Sequence, residues 1–241
     1  MGEAGIAAPA RWLDVAGSTN TEALDWAGSG APEFALVAAG HQLAGRGRMG
    51  RTWQGVAGRS LTFSFVLRPR IEPEAAGLLT LLAGAALARA TRSLTGQDLS
   101  CKWPNDLLIG EAKVAGILCE SVIERGSMTH AVVGIGINLV PPSEVSGAAG
   151  LGEGVEPMSL LSSFLIEFRE LYDPAGTGSA EAVLEAWRQV SATLGRDVEA
   201  KLAHGGSISG RALDVDERGG LIVKTEGGPM TVYSADVVHL R

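Results

Sequence analysis

The chain is poor in the residues that build covalent or metal-braced scaffolds. Cys101 and Cys119 are its only cysteines, too few for the disulfide framework of a small secreted domain. His41, His130, His204 and His239 are scattered and show no metal-ligand spacing. Long apolar runs are missing too. The stretch Leu78–Leu87 is interrupted by Thr80 and Gly84 and is too short to span a bilayer. The opening MGEAGIAAPARW has neither the basic start nor the apolar centre of a secretory signal. A cytoplasmic protein without membrane association is the expectation. No Gly-Lys-Ser/Thr occurs, which excludes ordinary P-loop chemistry. A net charge of −7 argues against broad attraction to nucleic acid, and few aromatics accompany the arginines that are present.

Apolar residues make up 46 % of the 241 positions, ample for a large domain and a small one. After a loose Ala/Pro/Gly start, Thr19 and Glu22 have capping-box spacing, which predicts a helix from there through Trp26. Phe34–Ala39 reads as a buried strand. Ser60–Leu67 reads as a half-buried one, with Leu61, Phe63, Phe65 and Leu67 on one face. Glu74–Leu94 is the longest helical pattern. Three β-like runs follow at Leu99–Trp103, Val114–Ile123 and Ala131–Leu139, with a Gly/Pro/Ser-rich loop over Pro141–Pro157. Helices are predicted over Ser159–Leu171 and Ala180–Leu194, the second ended by Gly195. Beyond it, short runs at 198–202, 208–215, 221–224, 230–233 and 237–240 alternate with turns. The expectation is an α+β fold: a mixed or antiparallel sheet with helices over residues 1–194, then a small SH3-like β-barrel over residues 195–241.

Between His41 and Trp53, three arginines alternate with three glycines, a pattern that neither helix nor strand periodicity explains. Glycine lets a backbone approach a ligand closely, and arginine offers planar paired donors to carboxylate or phosphate. From Phe34 to Ile71 there is no acidic residue, yet Arg46, Arg48, Arg51, Arg59, Arg68 and Arg70 all fall there. A cationic segment on an acidic chain suits a small polyanion, although a solvated basic turn has the same composition.

Two further segments invite chemistry. In Lys102-Trp103-Pro104-Asn105-Asp106, the proline favours an extended residue before it and the Asn-Asp pair makes a good turn. The same Asn105 and Asp106 could bond a nucleotide or ligate Mg²⁺. Lys113 opens an apolar strand, where an ammonium could neutralise charge developing during group transfer, or simply be solvated. Gly134 and Gly136 in Gly-Ile-Gly-Ile-Asn138 mark either close backbone approach to a flat ligand or a bulge. No final glycine and helix complete a dinucleotide fingerprint.

Ser18-Thr19-Asn20, the Gly-Arg-Gly-Arg-x-Gly-Arg loop at 45–51, Lys102–Asp106, Lys113 with Gly116, and Gly134–Asn138 follow one another in this order. Together they resemble the biotin–protein ligase family over nearly the whole chain. The resemblance implies that Ser18, Thr19, Asn20, Gln42, Gly116 and Gly134 hold the biotin ring. It implies that Arg46 and Arg48 engage the biotin carboxylate and ATP phosphates, that Arg51 orders the loop, and that Trp53 packs over the ligand. Asn105 and Asn138 would face adenine, with Lys102 and Asp106 near phosphates and Mg²⁺, and Lys113 would stabilise charge at the reacting centre. Met49 fills a slot where the best-known relatives carry a basic residue, and with only Met1–Gly17 before the first motif the DNA-binding repressor domain of some relatives is not expected. No specific DNA partner is expected.

The implied reaction joins biotin to AMP as a mixed anhydride with release of pyrophosphate. It then passes biotin to a lysine of the biotin carboxyl carrier domain of a biotin-dependent carboxylase. No protein nucleophile is required, so the two cysteines read as core residues. The nearest rival is a lipoate or octanoate ligase or transferase. A non-catalytic biotin sensor and a nucleic-acid module are the readings of other classes. Retention of Lys113 and the arginines speaks against the sensor. The arginines, with few other charges around them, are expected to repel one another and leave loop Ala44–Trp53 open until an anion arrives.

Overall fold

The computed structural model describes residues 8–173, 179–203 and 205–240, so the first seven residues and His204 lie outside it. Strand β1 (Ala10–Ala16) leads into helix α1 (Thr19–Gly28), which crosses to β2 (Leu36–Gln42), parallel to β1. The chain continues through β3 (Ser60–Leu67), α2 (Ala76–Thr95), β4 (Ser100–Lys102), β5 (Asp106–Ile109), β6 (Ala112–Glu124) and β7 (Ser127–Asn138). These strands form a seven-stranded sheet in the order β1-β2-β3-β7-β6-β5-β4, antiparallel except at β1–β2. Helices α3 (Pro157–Leu171) and α4 (Ser179–Gln189) come next, and both pack on α2.

The sheet is covered on both faces. On one, Leu61, Phe63, Phe65 and Leu67 of β3 meet Phe164 and Phe168 of α3 and the apolar side of α2. On the other, Val66 and Val132 meet Ala23 and Ala27 of α1. Strand β3 is therefore buried on both faces, not half-buried as its alternation suggested, because α1 covers the polar side. That side places Thr62 and Ser64 of β3, Gly116, Leu118 and Glu120 of β6, and Gly134, Gly136 and Asn138 of β7 on a common surface, spaced by the two-residue period of the strands.

Several expectations need correction. The loose N-terminal segment contains β1, an edge strand too exposed to show an apolar signature. Helix α1 is not held by a capping box: Ser18 occupies the cap without a side-chain bond, and Thr19 bonds elsewhere. Helix α4 stops at Gln189, and Gly195, with φ +76°, lies in the link to the C-terminal unit. That unit contains β8 (Asp197–Leu202), β9 (Ser207–Val215), β10 (Leu221–Thr225), β11 (Gly228–Val232) and β12 (Ala235–His239). They form an antiparallel sheet in the order β11-β10-β9-β8-β12. Among the described residues β11 and β12 do not pair, so the sheet is open and the expected barrel closure is absent. The Trp103 indole N–H donates to Gly219 O at 3.0 Å, and Arg188 pairs with Asp214 at 2.8 Å, which ties the two units together.

Candidate active site

The two-residue register of β6 and β7 opens one cleft at the end of α1. It is lined by Ser18, Thr19 and Asn20, by Gln42, by Arg46, Gly47, Arg48, Arg51, Thr52 and Trp53 of the arginine loop, and by Asn105, Lys113, Gly116, Gly134 and Gly136, and it is partly open to solvent. Residues distant in sequence thus converge on one cleft.

One end of the cleft is a buried polar network. Gln42 Oε1 accepts from the Thr19 amide at 2.8 Å and from its hydroxyl at 3.1 Å. Ser64 Oγ lies 2.8 Å from Thr19 Oγ1 and donates to Asn20 Oδ1 at 2.6 Å. Asn20 Nδ2 donates to Glu120 Oε2 at 2.9 Å and to Leu118 O at 3.2 Å. Thr19, Asn20 and Ser64 are buried, so these partners fix their orientations before any ligand arrives, and Ser18 is buried beside them. Gly134 is the floor beneath Asn20: a Cβ there would fall on Asn20 Oδ1.

The floor of the middle is a cross-strand glycine pair, Gly116 opposite Gly136. Trp53 lies on it, so that a Cβ on Gly136 would stand 2.5 Å from the indole nitrogen and one on Gly116 3.2 Å from the ring. Here the glycines serve close approach of a ring, not a bulge. The Trp53 Nε1 and Asn138 Oδ1 atoms are buried without a partner. Both residues line an adjoining hollow with Lys113, Pro142 and Gly147. Gly136→Ala should push the Trp53 ring off this floor, and binding of any ligand that uses the hollow should fall at least tenfold by titration calorimetry. Unchanged binding would show the ring to be incidental.

The arginine loop is not held apart by its charges. Arg46 Nη2 pairs with Glu120 Oε1 at 2.6 Å, Arg51 Nη2 with Asp236 Oδ1 at 2.6 Å, and Arg48 Nη1 reaches Ala235 O at 3.3 Å. Backbone bonds Gly47 N to Arg51 O and Trp53 N to Gly45 O close it into a small hairpin. The expected repulsion fails because acids from β6 and β12 answer it. Met49 sits at the tip with φ 55°, ψ 37°, a left-handed conformation costly for a side-chain-bearing residue. Burial lowers the pKa of Arg48; Asp236 opposes that shift and Arg51 reinforces it. A half-desolvated guanidinium of this kind gains from an incoming anion.

Lys113 Nζ lies 2.6 Å from Asp106 Oδ1 and leans over Gly116. Its charge therefore has a resident partner and does not wait for one. Asp106, offered by the sequence as a metal ligand, is engaged by that lysine. Among the described residues no group of three His, Cys, Asp or Glu side chains is placed to hold a metal ion. Asn105 lines the cleft, but its amide donates to Ile117 O at 2.8 Å and so shapes the turn. Lys102 lies outside the cleft beside His239, whose pKa is lowered by burial first and by Lys102 next. Cys101 is buried in the core with its thiol pushed up to about 12 by desolvation, in keeping with a packing role. Ser64, Glu120 and Asp236 were not singled out from sequence, and none of the three carries a local signal.

Comparison with known proteins bears on this geometry. Residues 12–138 match the model of the Biotin/lipoate A/B protein ligase family, and residues 193–240 that of the Biotin protein ligase C terminal domain. The chain belongs to the biotin protein ligase family. It is 34 % identical over 244 residues to the biotin–[acetyl-CoA-carboxylase] ligase of Mycobacterium tuberculosis, covering 96 % of this chain and 90 % of that one. It is 32 % identical to the bifunctional ligase/repressor BirA of Bacillus spizizenii over 94 % of this chain and 72 % of that one. Among solved structures, the Aquifex aeolicus biotin protein ligase in complex with biotin and ATP superimposes with a TM-score of 0.79 at 26 % identity, covering 96 % of this chain and 99 % of that one. The fold shared with that structure is a mixed seven-stranded sheet with helices, followed by a five-stranded antiparallel sheet. Among the described residues no helix is long and apolar enough to cross a membrane.

Proposed function

We propose that the chain is an ATP-dependent biotin–protein ligase that forms biotinoyl-5′-AMP and then biotinylates a lysine of a biotin carboxyl carrier domain. The observation that carries this reading is the convergence of a preorganised polar network, three arginines, a glycine-floored ring platform and Lys113 in one cleft. The network of Ser18, Thr19, Asn20 and Gln42 offers paired donors and acceptors for a small polar ring. Arg46 faces the cleft beyond it, within the span of a short acyl chain, and Arg48 and Arg51 follow for phosphates. Trp53 and Asn138 line the hollow that would take adenine.

In the first step a biotin carboxylate oxygen attacks the α-phosphorus of ATP. An O–P bond forms and the bond to pyrophosphate breaks. In the second, the carrier ε-amine attacks the acyl carbon, AMP leaves with the bonding electrons, and the amine loses its proton to solvent. Negative charge grows first on phosphoryl oxygens and then on the acyl oxygen, and Lys113 stands over the floor of the cleft where it can meet both. Mg²⁺, which prefers phosphate oxygens with one or two carboxylates, would arrive with ATP and supply charge neutralisation; the pairing of Asp106 with Lys113 leaves no preformed cage for it.

The test is pyrophosphate release from ATP with biotin, lipoate or octanoate, followed by label transfer to a carrier domain. Biotin-dependent release with transfer supports the reading; release with lipoate or octanoate alone would replace it. Arg48→Ala is expected to leak the intermediate, because a guanidinium bridging carboxylate and phosphate is lost while the ring network stays. Untargeted lysine labelling should rise several-fold, and weakened adenylation with unchanged release would reassign Arg48.

A further inference from the structure

Glu120 stands just behind the cleft wall on β6, in line with Gly116 and Leu118, with its side chain 24 % exposed. Each of its two oxygens has one partner, and the partners belong to different parts of the site. Oε2 accepts from Asn20 Nδ2 at 2.9 Å, at the ring-binding end. Oε1 accepts from Arg46 Nη2 at 2.6 Å, on the arginine loop. Only Nη2 of Arg46 is engaged there, so the Nε and Nη1 edge of that guanidinium remains for a second anion.

We infer that Glu120 is a positioning residue that sets the distance between the ring-binding network and Arg46, and so selects the length of the acyl chain. The inference rests on the proposed use of biotin. A ligand with a ring at one end and a carboxylate at the other is measured between two fixed points. Asn20 is one of them, locked by Ser64 and seated on Gly134. Arg46 is the other, and it sits on a loop whose only attachment to β6 through this side chain is Glu120. Without that attachment the guanidinium of a long, half-exposed side chain could follow the carboxylate to several positions, so affinity and length discrimination would fall together.

The chemistry of glutamine separates the two connections. In Glu120→Gln the amide oxygen can still accept from Asn20, which is buried and needs an acceptor, while the amide NH₂ faces Arg46 and cannot hold it. The ring end is thereby kept and the carboxylate end released. Titration calorimetry would compare wild type and Glu120→Gln with biotin, its methyl ester, and the homologues one methylene shorter and one longer. The ester keeps the ring and removes the charge that Arg46 would meet.

The expected result is a loss of about tenfold in biotin affinity, equal to about 1.4 kcal/mol, with ester affinity within twofold of wild type. The preference for biotin over its shorter and longer homologues should shrink to threefold or less. Equal losses for biotin and ester would make Glu120 a merely structural residue. Unchanged affinities, or unchanged length preference, would make the Arg46 pair an inconsequential surface contact and overturn the inference. Absence of biotin binding by the wild type would instead overturn the functional reading on which this one depends. Glu120→Asp, one methylene short of spanning both partners, should recover only one of the two functions.

Discussion

Lys113→Met should slow turnover by about a hundred- to a thousand-fold, the loss of some 3–4 kcal/mol expected when a donor to charge developing in the transition state is removed. The structure sharpens the reason. Lys113 is held at both levels: its amide donates to Gly147 O at 2.8 Å, its carbonyl accepts from Ala149 N at 2.8 Å, and its ammonium rests on Asp106. The side chain is 39 % exposed, so the Asp106 pair adds little to stability, and methionine fills the same space over Gly116. Folding should survive the substitution, and biotin affinity should change far less than turnover because the ring network lies elsewhere. Lys113→Arg should recover only part of the rate, since a planar fork cannot occupy the place of a compact ammonium. Single-turnover assays begun from ATP, or from preformed biotinoyl-AMP, report the two steps separately. Normal rates in both would reduce Lys113 to a partner of Asp106.

What the sequence made legible follows from how local each signal is. The long helices, β3 and the C-terminal strands announce themselves by apolar period and glycine turns, and the fold class follows from their order. The edge strand β1 carries no such period, because little of it is buried. The four-residue β5 is too short to show one. The same limit governs the site. Arg46, Arg51 and Lys113 were legible because glycines or an apolar strand isolate them, but their partners Glu120, Asp236 and Asp106 come from other strands. No local pattern pairs residues 46 and 120. Thr19 misled for the same reason: its spacing to Glu22 fits a cap, yet its hydroxyl goes to Gln42, 23 residues away. Charge repulsion in the loop was a sound argument from one segment alone, overturned by acids on β6 and β12.

Gly134→Ala should damage both stability and biotin binding. Gly134 pairs with Ser64 on one side and Leu118 on the other, and the space above its Cα is filled by the Asn20 amide. Asn20 cannot swing aside cheaply. It is buried, accepts from Ser64, and donates to Glu120 and Leu118 O, so displacement leaves two or three buried polar groups unpaired at about 1–3 kcal/mol each. A loss on the order of 3–5 kcal/mol is expected, and at about 2–4 °C per kcal/mol the melting temperature should drop by roughly 10 °C. Biotin affinity should fall more than tenfold at temperatures where the variant is still folded, because Ser18 and Thr19 share the displaced helix end. Asn20→Ala supplies the control. Alone it also strands Ser64 and Glu120, but it opens the space that the new methyl group needs. The double variant Asn20→Ala/Gly134→Ala should therefore be more stable than the two losses added together, by at least about 1 kcal/mol, as expected for side chains in direct contact. Biotin binding should stay weak in that pair, since the amide is gone. A Gly134→Ala protein that melts and binds biotin like the wild type would show that Asn20 has another place to go.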